Sequence, residues 1–196
     1  MQFQQTSLRG AFVVSLEPYA DSRGFFARTW CAREFAAHGL PDTLVQSSMS
    51  HSERRGTVRG MHVQLPPSRE AKLVRCTRGA IYDVIVDMDP DSPTFLRHFG
   101  IELSATSYQA LYIPPLMLHG FQTLQDASEV HYQMTDFYAP ELGFGARWDD
   151  PAFGIAWPIR APVTILPRDA AYADFDVERY RRELDAARAR GARSSP

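Results

Sequence analysis

The chain reads as a mainly β protein of sandwich or jelly-roll type with short flanking helices. Three observations predict it: short runs rich in β-branched and aromatic residues recur along the chain, Gly, Pro, Asp or Ser separate them, and long amphipathic patterns are scarce. Many short strands joined by tight turns build two packed sheets rather than helical layers.

The strongest strand candidates are, in order, Leu8–Ser15, Thr57–Gln64, Lys72–Thr77, Ala80–Asp87, Phe95–Leu103, Ala110–Ile113, Gly120–Thr123 and Glu129–Thr135. Thr77-Arg78-Gly79 is short enough for a hairpin connection, and Asp89-Pro90-Asp91-Ser92-Pro93 is a turn with proline-fixed dihedrals. Two helices are expected. Ala32 to His38 is followed by the stop signals Gly39 and Pro41. Near the C-terminus Asp176 can cap a helix in which Val177, Tyr180, Leu184 and Ala187 repeat at helical spacing, with Arg181, Arg182, Arg188 and Arg190 facing water and a frayed tail from Gly191 to Pro196.

At 196 residues, with 44% hydrophobic and 22% charged residues, the chain suits one globular domain with a real core. A formal net charge of −2 supplies no positive field for a nucleic-acid backbone or an anionic membrane. The first ten residues lack the apolar core of a signal peptide, and no eighteen apolar residues run together, so a cytoplasmic location is the expectation. Cys31 and Cys76 lack CxxC spacing and read as reduced thiols.

Three polar clusters fall where strands are expected, and a polar group inside a β barrel needs a partner or a ligand. In Arg59-Gly60-Met61-His62-Val63-Gln64, alternation puts His62 and Gln64 on one face, and a bulge at Gly60 would turn Arg59 towards the same space. A histidine satisfied within the core is an equal reading. In Lys72-Leu73-Val74-Arg75-Cys76, Lys72 points inward if Val74 and Cys76 do, and a desolvated lysine needs an anion such as a phosphate, a carboxylate or an enolate. A lysine on the outer face is the alternative. In Val130 to Tyr138, Tyr132, Met134 and Tyr138 share parity, though two tyrosines in a strand region are ordinarily packing, as a lone His119 is ordinarily structural.

Taken together, Arg59-Gly60-Met61-His62, Pro66-Pro67, Lys72-Leu73-Val74, Gly79 to Val84, Ser92-Pro93-Thr94, Leu111 to Pro114, His119-Gly120-Phe121 and Trp148-Asp149-Asp150-Pro151 resemble the dTDP-4-dehydrorhamnose 3,5-epimerase family of the cupin superfamily, in the same order from about Leu8 to Phe175. The resemblance implies a double-stranded β-helix domain over 1–175, with a C-terminal helix and tail over 176–196. It implies a metal-free, cofactor-free homodimer that epimerises C3, C5 or both on a nucleotide-activated 4-keto-6-deoxyhexose in deoxysugar biosynthesis. By that resemblance His62 matches the base, Asp169 its partner, Lys72 the enolate-stabilising lysine and Tyr132 the acid. Arg59 and His119 match substrate contacts, Tyr138 lies in the sugar-contacting wall, Gln46 and Arg168 stand at substrate-binding positions, and Arg23 and Phe26 match residues that reach into the partner subunit's site.

The chemistry suits these residue types. A C4 ketone acidifies the hydrogens on C3 and C5, so a neutral imidazole can take one, leaving an enolate that a lysine ammonium stabilises. A tyrosine on the other side of the ring can return a proton with inversion. Some positions depart from the family: Arg28 stands where a glutamate is common, and Gln46-Ser47-Ser48 where the family has Gln-Asp-Asn, both at positions that help hold the nucleotide. Leu166-Pro167-Arg168-Asp169 replaces Ser-x-Lys-Asp, and Leu116 and Leu118 replace Gly and Ala. Two other classes compete: a metal-dependent cupin oxygenase or isomerase, for which His62, Gln64, Glu70 and His119 form a weak ligand set, and a sugar-nucleotide binding module without turnover.

Overall fold

A computed structural model describes residues 1–161 and 164–193, and it is an antiparallel two-sheet jelly roll. One sheet has six strands in the order β1 (Gln2–Gln5), β2 (Phe12–Ser15), β10 (Gln109–Ile113), β7 (Lys72–Arg78), β12 (Ser128–Met134) and β5 (Gln46–Ser52). The other has five, in the order β13 (Gly143–Gly145), β6 (Val58–Gln64), β11 (Met117–Thr123), β8 (Ala80–Asp87) and β9 (His98–Ser104). β3 (Tyr19–Asp21) and β4 (Gly24–Phe26) pair only with each other.

All eight expected strands form, with ends displaced by a few residues. The strand β5 was not expected, because its sequence Gln-Ser-Ser-Met-Ser-His-Ser has almost no β-formers; it is held by full-length pairing with β12 at the sheet's edge. β1, the β3–β4 hairpin and β13 were also missed, being three or four residues each.

Period-2 alternation sorts the apolar residues into layers. Val13, Val74, Cys76, Leu111 and Val130 of the six-stranded sheet meet Ile81, Ile85, Leu103, Met117 and Phe121 of the other. The outer face of the six-stranded sheet is covered by α1 (Ala32–Ala37), whose Phe35 packs with Val14, Leu73, Ala110 and Tyr112. The outer face of the five-stranded sheet is covered by Trp148, Phe153 and Trp157 and by α3 (Val177–Arg193).

As expected, Asp176 caps α3: its Oδ1 accepts from the backbone N–H groups of Glu178 and Arg179, at 2.9 and 3.1 Å. Tyr180, Leu184 and Ala187 are buried in the same cluster as Met61 and Val84, so α3 completes the core under the five-stranded sheet. The helix continues through Gly191 to Arg193, where fraying was expected; residues 194–196 lie outside the described residues. Of its expected solvent-facing arginines, Arg181 lies over the Phe95 ring and Arg188 pairs with Asp89 and Asp91. No helix among the described residues is long and apolar enough to cross a membrane.

Candidate active site

Between the two sheets opens a cavity of about 470 Å³, lined among others by Arg59, His62, Glu70, Lys72, His119 and Tyr132. β6 delivers the first two. Its pairing with β11 matches His119 to His62 but Phe121 to Arg59, so β6 carries one extra residue there. That bulge brings Arg59 and His62 into one cavity despite their opposite parity. Gly60 sits in it at φ +116°, where an added Cβ would lie 2.6 Å from Gly120 Cα. Only glycine fits so close an approach of two backbones.

His62 Nε2 stands 2.9 Å from Asp169 Oδ1. Asp169 comes from the short helix α2 (Pro167–Ala170), and its side chain is 2% exposed while that of His62 is 43% exposed. A carboxylate only accepts, so the ring nitrogen facing Asp169 carries its proton and the other holds the free lone pair. Arg168 Nε donates to the same Asp169 oxygen at 3.3 Å, which helps orient the carboxylate. Tyr172 packs its ring edge to face with His62, 6.5 Å between centroids.

Tyr132 enters from β12, in the opposite sheet. Burial pushes its phenol well above the ordinary tyrosine range, against a smaller opposing effect of Ser50, whose hydroxyl lies 3.4 Å away. The phenol therefore holds its proton at any working pH. Lys72 opens β7 and faces inward with Val74 and Cys76, which settles the choice of face. Its ammonium is 2.5 Å from the Glu70 carboxylate, with side-chain exposures of 17% and 7%. His119 is 7% exposed, with Nε2 2.8 Å from Asp83 Oδ1; the other Asp83 oxygen is buried without a hydrogen bond.

The remaining expected residues lie farther out. Tyr138 lines the cavity mouth, and so does Arg168. Gln46 is outside the lining and reaches the site only through the backbone of Tyr138. Arg23 pairs with Asp21 in the exposed β3–β4 hairpin, and Phe26 there is 76% exposed; neither lines this chain's own cavity. Tyr172 and Asp83 went unread, since each acquires its place only when distant strands and turns converge.

The weak metal set is engaged elsewhere. Gln64 is bonded to the backbone of Phe137 and Ala139, Glu70 to Lys72, His119 to Asp83 and His62 to Asp169. Among the described residues no group of three or more His, Cys, Asp or Glu converges as an ion would require.

Comparison with known proteins agrees with this fold. The family model described as dTDP-4-dehydrorhamnose 3,5-epimerase matches residues 5–176. The dTDP-4-dehydrorhamnose 3,5-epimerase of Sinorhizobium fredii is 37% identical over 171 residues, covering 87% of this chain and 88% of that one. The crystal structure of the enzyme of that name from Bacillus anthracis, with TDP and PPi bound, superposes with a TM-score of 0.85 at 33% identity, covering 89% of this chain and 99% of that one. A 3'-monoepimerase from Streptomyces bikiniensis in complex with dTDP-quinovose superposes with a TM-score of 0.81 at 28% identity, covering 94% and 98%.

Proposed function

Since the chain belongs to the dTDP-4-dehydrorhamnose 3,5-epimerase family and is an isomerase of deoxysugar biosynthesis, we propose that His62 and Tyr132 carry its proton transfers on a nucleotide-linked 4-keto-6-deoxyhexose. The observation that carries this is that an imidazole from the five-stranded sheet and a buried phenol from the six-stranded sheet line one cavity. A sugar ring between them has a base on one side and an acid on the other.

In this mechanism the free nitrogen of His62 removes the hydrogen on C3 or C5, and the C–H electron pair moves into an enolate with its charge on the C4 oxygen. Asp169 stabilises the imidazolium that results. The Lys72 ammonium opposes the enolate charge as it develops. Tyr132 returns a proton from the opposite side, the enolate collapses to the ketone, and the carbon is inverted. His62 then releases its proton to water and the phenolate regains one, so no net proton or electron is consumed. The groups named supply every proton and charge the step needs.

Arg59 and Arg168 line the cavity as the guanidinium groups assigned here to a diphosphate, and Arg59 is steadied by hydrogen bonds to Ser52 Oγ and the His51 carbonyl. Among the departures from the family are Arg28 and Ser47, at positions expected to help hold the nucleotide. Arg28 is paired with Glu34 and Ser47 with His131, so base recognition there follows a different chemistry. The β3–β4 hairpin belongs to neither sheet and exposes Tyr19, Phe25 and Phe26, which supports a homodimer in which Arg23 and Phe26 complete the partner's cavity. A cytoplasmic location is part of the same proposal.

The deciding experiment incubates dTDP-, UDP-, CDP- and GDP-linked 4-keto-6-deoxyhexoses with the protein in deuterated water and counts exchange at C3 and C5. Deuterium at one or both carbons, with inverted product, is expected for at least one nucleotide. Exchange at neither carbon with all four would remove the catalytic assignment. Sedimentation of the wild type and of Phe26→Asp tests the dimer, which should weaken in the variant.

A further inference from the structure

The segment that carries Tyr138 is in no strand, yet its backbone is gripped at three consecutive residues by two glutamine side chains. Gln64 Nε2 donates to the Phe137 carbonyl at 3.2 Å, and Gln64 Oε1 accepts from the Ala139 N–H at 2.6 Å. Gln46 Oε1 accepts from the Tyr138 N–H between them, also at 2.6 Å. Gln64 is on β6, one strand in from the edge of the five-stranded sheet, and Gln46 is on β5, the edge strand of the six-stranded sheet, so the segment is clipped at the cavity from both sheets. Gln64 is 6% exposed, while Phe137 and Tyr138 are each 65% exposed. The Tyr138 side chain adds little to this placement, since an exposed side chain gains little from packing, and on either side the Phe137 N–H is held by Asp136 and the Ala139 carbonyl by the Leu142 N–H.

The chemistry required of residue 64 is narrow. It must donate to a carbonyl and accept from an N–H two residues further on, and a primary amide does both. A glutamate would set a carboxylate against the Phe137 carbonyl, and a leucine would leave both backbone groups unmet at a partly buried site. The amide sits two residues after His62, on the same inward face, so the strand that aims the base also aims the outer wall.

We propose that Gln64 and Gln46 are positioning residues that hold Tyr138 as the outer wall of the substrate cavity, acting on substrate binding and not on the proton transfers. The proposal rests on the reading that the cavity binds a nucleotide sugar. Gln64→Leu should raise KM by about tenfold or more and leave kcat within about threefold, the split that marks lost uniform binding. Tyr138→Ala should do the same, and Gln64→Leu added to Tyr138→Ala should cost nothing further, because both changes remove one wall. Gln46→Ala, at the start of the sheet's edge strand, serves where Gln64→Leu folds poorly, and should show the same non-additivity.

Amide hydrogen exchange of Tyr138 and Ala139 tests the clamp without turnover, and so separates its failure from failure of the catalytic reading. Protection in the wild type and its loss in Gln64→Leu are expected. Additive losses in the double variant, a fall in kcat with KM unmoved, or unprotected amides in the wild type would each overturn the proposal.

Discussion

His62 and His119 face each other as cross-strand partners on β6 and β11, and each imidazole has its own buried carboxylate, Asp169 for one and Asp83 for the other. The two differ in access. His62 opens to the cavity with 43% of its side chain exposed, whereas His119 is 7% exposed. A base must reach both substrate and solvent to turn over, so under the proposed mechanism His62 is the one that moves protons and His119 shapes the wall.

From that division, His62→Asn should lower deuterium exchange into substrate by about 10³-fold or more, within the range of general-base catalysis plus positioning, without loss of thermal stability. His119→Asn should lower exchange less and melt earlier, because it weakens the one side-chain hydrogen bond that the Asp83 carboxylate accepts among the described residues. The reverse order in an exchange assay would exchange the two roles.

Tyr132→Phe should uncouple the two proton transfers. Hydrogen removal by His62 persists, so deuterium still washes into the position it attacks, while inverted product forms about 10²-fold or more slowly. Nuclear magnetic resonance of the product mixture separates the two. With burial holding the phenol protonated far above neutrality, the wild-type rate should show no loss from phenol ionisation up to pH 10.

Breaking the Glu70–Lys72 pair from its two ends should give unequal results. Lys72→Met strands a carboxylate that is 7% exposed, and removing one partner of a buried ion pair costs about 3–5 kcal/mol. Glu70→Gln keeps an acceptor for the ammonium and should cost much less. Urea midpoints rank the two, and equal midpoints would mean that Glu70 does not depend on Lys72. Exchange should fall about 10²-fold in Lys72→Met through loss of enolate stabilisation.

Stability should decline above pH 10. Burial raises the phenol of Tyr112 to about 12 and those of Tyr132 and Tyr180 higher, so between pH 10 and 12 the unfolded chain has released protons that the folded chain still holds. The folded state then binds more protons, and its stability falls as pH rises. Melting temperatures from pH 8 to 12 check it. Tyr180 Oη donates to the Met88 carbonyl at 2.6 Å, so Tyr180→Phe should lose about 1–3 kcal/mol near neutrality and flatten part of that decline.

Much of the site was legible because side-chain direction in a strand is local. Alternation placed His62 with Gln64 and aligned Lys72 with Val74 and Cys76, and one glycine signalled the bulge that turns Arg59 inward. Residue chemistry and motif order pointed to an acid, a base and an enolate-holding cation. β5 was missed because a serine-rich run has no propensity signal; its partner strand, not its composition, makes it extended.

By itself, then, the amino-acid sequence determined the fold class, which residues share a strand face and the kind of chemistry available, since these depend on periodicities of two residues and on functional groups; which of those faces turns inward was left to the structure. The family resemblance already matched Asp169 to His62, 107 positions away, but only the tertiary structure decided that Asp83 serves His119, across 36 positions. It also decided that Gln64 and Gln46 hold the segment bearing Tyr138. Such pairings follow from sheet register and the closing of one sheet over another, and no local pattern along the chain encodes a distance between residues that far apart.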